Sequence, residues 1–117
     1  MEDLKFISFE KKEDICLLHL CTSGYLNLET GEEVSSLCKS QIEKGDTRFL
    51  LDLSSTKMVN SIGVSLLIEV IEALEDKNGK LAFCNMAPIV EKTFKIMGLS
   101  EYATLFPSQD EALKSDW

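Results

Sequence analysis

The chain has 117 residues, of which 44% are hydrophobic and 27% charged, a balance typical of one globular domain with a hydrophobic core. A formal net charge of -8 leaves no basic surface for nucleic acid or for an anionic membrane, so we expect neither partner. No apolar run approaches the length of a membrane span, and the first residues lack the basic-then-apolar pattern of a secretion signal. These features predict a single cytoplasmic domain over residues 1–117.

The cysteines do not predict a metal or redox site. Cys16, Cys21, Cys38 and Cys84 lie in apolar segments without CxxC spacing, and the chain has one histidine. We therefore expect four reduced thiols in the core, with no bound metal or cofactor.

The N-terminal region predicts a short strand at 6–9, a polar turn at 11–14, a second strand at 15–21 and a loop at 24–28. The second strand is apolar at nearly every position, which favours a central place in a sheet. His19 lies within it and is expected to be packed and hydrogen-bonded, with a ligand or catalytic role as the alternative.

The first helix is predicted from a capping box formed by Thr30 and Glu33. Apolar residues then recur at helical spacing until Gly45; they are Val34, Leu37, Cys38 and Ile42. This amphipathic helix is expected to cover one face of a sheet.

Residues 49–67 pass from an apolar strand at 49–53 through a polar loop into a second helix that begins beside Ser61. The predicted apolar stripe of this helix is Val64, Leu67, Ile68, Ile71 and Leu74, and the polar stripe is Ser65, Glu69, Glu72 and Asp76. Asn60 or Ser61 is the predicted cap. Unpaired backbone N–H groups and the helix dipole suit Ser61 to carrying or contacting a phosphate; the alternative is that Asn60 and Ser61 only cap the helix.

The C-terminal part alternates in the same way. Pro88 suits the first position of a third helix, which Gly98 ends, and its predicted core residues are Val90, Phe94 and Met97. The other predicted elements are a turn at 77–80, a strand at 81–84, a strand at 104–106 and a capping box from Ser108 to Glu111.

Alternating strands and helices of these lengths predict an α/β fold, with a mixed, mostly parallel sheet and helices packed against it. Ser61 would then lie at the carboxyl end of a central strand. Ligand and partner sites favour that end of the strands in α/β proteins.

Four segments carry a family resemblance: Gly24-Tyr25-Leu26-Asn27, Leu51-Asp52-Leu53-Ser54, Val59-Asn60-Ser61-Ile62-Gly63-Val64, and Cys84 to Pro88 followed by Phe94 and Met97-Gly98-Leu99. Together with the order of elements, they resemble a single STAS domain, and more narrowly the stand-alone bacterial anti-sigma factor antagonists. The resemblance implies that Ser61 is phosphorylated by a partner that is both anti-sigma factor and serine kinase. In that family the unphosphorylated protein binds the kinase and frees the sigma factor, and a PP2C-type phosphatase resets the cycle.

The sequence departs from the family pattern beside Ser61. Asn27 and Asn60 stand where the family has Asp, whereas Ile62 and Ser65 replace a small hydroxyl residue and a glycine. Since Asn caps a helix as well as Asp does, we expect an effect on kinase recognition and not on the fold. The chain then either has a divergent kinase or acts without phosphorylation.

The partner surface is predicted around Ser61, where two loops at the carboxyl ends of the strands meet. Its predicted contact residues are Tyr25, Leu26, Asn27, Met58, Asn60, Gly63 and Ser65. For Met58, a place in the core is the alternative.

We predict a binding protein and not an enzyme, because Ser61 lacks a Gly-x-Ser-x-Gly elbow and His19 lies in a strand. An alternative function within the same fold is a STAS docking subunit of a stressosome-like or lipid-transport assembly, without sigma-factor regulation.

Overall fold

The computed structural model describes residues 4–21 and 24–117. Its strands are β1 (Ile7–Lys12), β2 (Ile15–Leu20), β3 (Tyr25–Leu26), β4 (Arg48–Asp52), β5 (Met58–Val59), β6 (Lys80–Cys84) and β7 (Thr104–Phe106). Its helices are α1 (Leu28–Glu43), α2 (Ser61–Glu75), α3 (Pro88–Ile96) and α4 (Gln109–Lys114), with a 3-10 helix at Leu99–Glu101. Within these residues, no helix combines the length and apolarity needed to cross a bilayer.

The main sheet has five strands in the order β1-β2-β4-β6-β7. Strands β1 and β2 are antiparallel, and the other neighbouring pairs are parallel. The predicted mixed, mostly parallel sheet is confirmed, and β4, the strand that leads towards Ser61, lies at its centre. The carboxyl ends of the parallel strands therefore meet at one edge of the sheet, which we call the carboxyl edge.

A second, two-stranded sheet lies in segments that the sequence predicted as loops. Strands β3 and β5 are parallel, with Tyr25 opposite Met58 and Leu26 opposite Val59. Two residues per strand are too few for a hydrophobic period to be detected.

Alternate residues of each strand point to opposite sides of the main sheet, so the sheet contributes to two hydrophobic cores, one on each face. The larger core lies beneath α1, α2 and α3 and includes Leu18, Phe49, Leu51, Val64, Leu67, Phe83, Val90 and Phe94. The smaller core, on the other face, contains Ile15, Leu17, Leu50, Ala82, Cys84 and Ala112, with Phe106, Leu113 and Trp117 packed against it.

The predicted start of α1 is wrong, because Asn27 and not Thr30 is the cap. The N–H of Thr30 donates to Asn27 Oδ1 (3.3 Å), and the N–H of Asn27 donates to Thr30 Oγ1 (3.0 Å), so these residues form the capping box. The Glu33 carboxylate instead accepts the backbone N–H groups of Lys5, Phe6 and Ile7 at 3.0, 2.8 and 3.1 Å. Glu33 thus anchors the N-terminal segment to α1, a long-range role that local spacing could not reveal.

The first turn is shorter than predicted. Strand β1 continues through Lys11 and Lys12, which pair with Cys16 and Ile15, so only Glu13 and Asp14 form the turn. Backbone pairing with β2 extends the strand although its side chains become polar.

Three side chains predicted in the core are at the surface. Ile68 is 36% exposed, because the buried face of α2 is turned towards Gly63 and Val70. Met97 is 38% exposed, since it caps α3 after its last helical residue. Cys21 follows β2 and is exposed, and its thiol donates to the Phe6 carbonyl at 3.4 Å.

The other three cysteines are buried free thiols, as predicted. Burial raises the pKa of Cys16 and of Cys84 to about 12, and it also raises the pKa of Cys38. These thiols are therefore protonated and unreactive near neutral pH.

Candidate functional site

The candidate site is built around the N-terminus of α2. Asn60 is the cap, and its Oδ1 accepts the N–H of Gly63 at 2.8 Å. Ser61 is the first residue of the helix and is exposed. Of the two predicted caps, the structure therefore selects Asn60.

The Ser61 hydroxyl has no hydrogen-bond partner among residues 4–21 and 24–117, whereas the Ser61 carbonyl accepts from Ser65 Oγ at 2.9 Å. Helix capping does not depend on this hydroxyl, so a group added to it would leave the cap intact. The added group would also lie beside first-turn N–H groups and the positive end of the helix dipole.

The small sheet places an aromatic ring and a thioether beside this helix end. Tyr25 is 49% exposed and Met58 is 56% exposed, on paired positions of β3 and β5. The alternative of a core position for Met58 is thereby excluded. With Gly24, Ser55 and Lys57, they line an open hollow of about 590 Å³.

Two of the predicted contact residues are buried. The side chain of Leu26 is 0% exposed, so the expectation that it faces a partner is wrong. Its carbonyl oxygen accepts the N–H of Asn60 at 3.0 Å. A Cβ at Gly63 would lie 2.5 Å from the same carbonyl oxygen, so only glycine fits where α2 crosses β3. Leu26 and Gly63 therefore position Ser61 and add no exposed side chain.

The starts of α1 and α2 lie side by side. A Cβ at Gly31 of α1 would be 3.4 Å from the Cα of Gly63. Asn27 and Asn60, the positions where the resembling family has Asp, are the caps of these neighbouring helices. Ser65 lies one turn beyond Ser61 and is exposed, as predicted. Of the residues named here for the site, only Lys57 is charged, and the exposed Glu29 lies in the adjoining first turn of α1.

Asp52 organises the loops behind this surface, a role that sequence reasoning missed. Although only 6% exposed, its carboxylate accepts the N–H of Ser54 (2.9 Å), Asn85 Nδ2 (3.2 Å) and Gln109 Nε2 (3.1 Å). It therefore joins the loops after β4 and β6 to the start of α4. A carboxylate at the end of an apolar strand was the available indication, since a buried charge requires partners.

His19 supports the loop that follows β4. Its Nε2 lies 3.2 Å from Ser55 Oγ and 3.2 Å from Ser54 Oγ. The expectation of a packed, hydrogen-bonded histidine is confirmed.

Within the described part of the chain, no group of three or more His, Cys, Asp or Glu side chains could hold a metal ion.

With this geometry, comparison with known proteins establishes the family. The family model for the STAS domain matches residues 6–112, so the chain belongs to the STAS domain family. The protein BtrV of Bordetella bronchiseptica, assigned as an anti-sigma factor antagonist, is 29% identical over 91 residues, which cover 78% of this chain and 76% of BtrV.

Two solved structures share the fold. A Thermotoga maritima protein assigned as an anti-sigma factor antagonist has a TM-score of 0.81 at 16% identity, with 92% of each chain covered. Bacillus SpoIIAA in its phosphorylated form has a TM-score of 0.71 at 20% identity, with 92% of this chain and 96% of SpoIIAA covered. These likenesses confirm the predicted STAS fold.

Proposed function

We propose that this protein is a phosphorylation-controlled anti-sigma factor antagonist that acts in the cytoplasm. Its unphosphorylated form binds an anti-sigma factor serine kinase and frees the sigma factor. Phosphorylation of Ser61 ends this binding, and a PP2C-type phosphatase restores it. The protein itself acts by binding and not by catalysis.

The observation that carries this proposal is the position of Ser61. Ser61 is the first residue of α2, and Asn60 caps this helix. The exposed Ser61 hydroxyl has no hydrogen-bond partner in the described part of the chain. A kinase can reach such a hydroxyl, and the helix terminus favours the charge that a phosphate adds. The likeness to BtrV, a protein assigned as an anti-sigma factor antagonist, supports the same function.

Two features of the surrounding surface support a protein partner. Tyr25 and Met58 present large exposed groups beside Ser61, and aromatic and methionine side chains are enriched at protein interfaces. The predicted contact residues around Ser61 are also all uncharged on a chain with a net charge of -8, and charged residues are depleted at the centre of protein interfaces.

The test is phosphorylation by a kinase that co-purifies with the protein from its native cell. Incubation with ATP, followed by intact-mass measurement and peptide mapping, should place one phosphoryl group on Ser61. The Ser61→Ala variant should remain unlabelled. Ser54→Ala is the matched control, because it removes a hydroxyl of the loop before α2 that is not among the predicted contact residues, and it should be labelled like the wild type.

Label that persists on Ser61→Ala would contradict the assignment of the phosphorylation site. A PP2C-type phosphatase should remove the label from the wild type. Stable assembly with transporter or stressosome-like subunits, without Ser61 labelling or sigma-factor release, would instead favour the docking-subunit function.

A further inference from the structure

The outward face of α3 carries two exposed isoleucines that neither the core nor the Ser61 site accounts for. Ile89 is 58% exposed and Ile96 is 74% exposed, whereas Val90 and Phe94 of the same helix are 1% and 0% exposed. The buried pair anchors the helix to the core. Ile89, Thr93 and Ile96 are spaced at i, i+4 and i+7, so they lie along one line that flanks the buried face of the helix.

This line of residues is continuous with the Ser61 site. Met58 and Ile89 border the same cleft of about 210 Å³ between β5 and α3, which Val59, Val90 and Thr93 complete. We call Met58, Ile89, Thr93 and Ile96 the α3 stripe. Its helical part, from Ile89 to Ile96, extends about 10 Å at a rise of about 1.5 Å per residue. Its remaining member, Met58, belongs to the small sheet of the candidate site.

The charges beside the α3 stripe differ from those of the whole molecule. Lys95 pairs with Glu91 at 2.8 Å. Lys92 and Lys57 have no carboxylate within salt-bridge distance in the portion of the chain that the structure describes. On a chain with a net charge of -8, an apolar stripe flanked by unneutralised cations is complementary to an apolar surface that carries carboxylates.

We propose that the α3 stripe is the second half of the kinase-docking surface, and that it receives an apolar segment of the kinase flanked by acidic side chains. This proposal rests on the proposed function. It specifies the chemistry of the kinase segment that binds, and it extends the contact surface from α2, which carries Ser61, to α3. Phosphorylation would then disrupt one half of a two-part interface.

The test measures the affinity of the kinase that labels Ser61 for variants of the α3 stripe, by calorimetry. Ile89→Glu and Ile96→Glu should each weaken binding at least tenfold, because they place a charge where an apolar contact forms. Lys92→Glu should weaken binding severalfold at low salt, with a smaller effect at high salt. Ser40→Glu is the matched control, since it adds the same charge on an exposed residue near the C-terminal end of α1, away from the candidate site.

Each variant should melt close to the wild type, because the replaced side chains are exposed. If the isoleucine variants bind like the wild type while Ser61→Asp loses binding, the α3 stripe is not an interface and the proposed function stands. If Ser61→Asp also binds like the wild type, the proposed function itself fails. Sedimentation of the protein alone should give a monomer, and a dimer that Ile96→Glu abolishes would assign the stripe to a second copy and overturn the proposal.

Discussion

Two properties of Ser61 determine how its proposed phosphorylation would act. A phosphate adds about -1.5 to -2 charges, and a helix N-terminus stabilises negative charge by about 0.3–1 kcal/mol. Modification is therefore compatible with the fold. Under the proposed function, release of the kinase would then come from bulk and charge at the interface, where an unpaired buried charge is strongly unfavourable.

We predict that Ser61→Asp melts close to the wild type but binds the kinase at least about tenfold more weakly, equivalent to about 1.4 kcal/mol. Calorimetry measures both quantities. Ser40→Asp controls for the added charge and should bind normally. A large fall in melting temperature would show that the switch works by local unfolding, and retained tight binding would remove Ser61 from the mechanism.

Asn27 and Asn60 cap α1 and α2 through their side-chain oxygens, which Asp also provides. The Asn27→Asp/Asn60→Asp variant should therefore change stability little, whereas Asn60→Ala should cost about 1 kcal/mol. The double Asp variant should change the rate and affinity with which a conventional family kinase phosphorylates the protein. Equal kinetics for this variant and the wild type would show that the asparagines do not set specificity.

At the scale of elements, the close crossing of α2 over β3 fixes the position of Ser61. Ala at Gly63 would favour the helix by about 1 kcal/mol, but its Cβ would lie 2.5 Å from the Leu26 carbonyl oxygen. Because backbone must move, we predict net destabilisation of about 1–3 kcal/mol, the usual range for overpacking. Urea denaturation measures it, with Ser65→Ala as the exposed control in α2. A Gly63→Ala variant more stable than the wild type would contradict the close approach of α2 to β3.

The sequence predicted the elements that local chemistry specifies. Hydrophobic spacing located α2, and Pro88 and Gly98 bounded α3, since cap residues and helical periods act within a few residues. Nonlocal contacts explain what was missed. Strand β3 exists because it pairs with β5, Glu33 binds an N-terminal segment distant in sequence, and the burial of Leu26 depends on the small sheet.

At the scale of the molecule, the two edges of the sheet have separate roles. The carboxyl edge carries the candidate site. At the opposite edge, Lys11 pairs with Asp46 at 2.5 Å and Arg48 pairs with Asp14 at 2.9 Å. These ion pairs join β1 and the turn before β2 to the start of β4. Stability can therefore be altered there without changing the candidate site.

The Lys11–Asp46 pair gives a pH prediction. A hydrogen bond from Lys11 lowers the pKa of Asp46, and the same contact raises the pKa of Lys11. The contribution of Asp46 is present above its unfolded pKa of about 3.9 and is lost as pH falls through the lower folded pKa. The contribution of Lys11 is lost only as pH rises through its raised pKa, above about 10.4.

We therefore expect Asp46→Asn to be less stable than the wild type at neutral pH, with a difference that shrinks as the pH falls below about 4. Denaturant midpoints measured across this range test the expectation. Glu43→Gln removes an exposed carboxylate nearby in sequence and should follow the wild-type curve. A pH-independent difference for Asp46→Asn would contradict a role for its charge.

The most direct test of partner switching starts from a preformed complex of the kinase with its sigma factor. Unphosphorylated protein and protein phosphorylated on Ser61 are added in separate titrations, and free sigma factor is measured by size-exclusion chromatography. We predict that the unphosphorylated protein displaces the sigma factor and that the phosphorylated protein does not. Equal displacement by both forms, or displacement by neither, would contradict the proposed function.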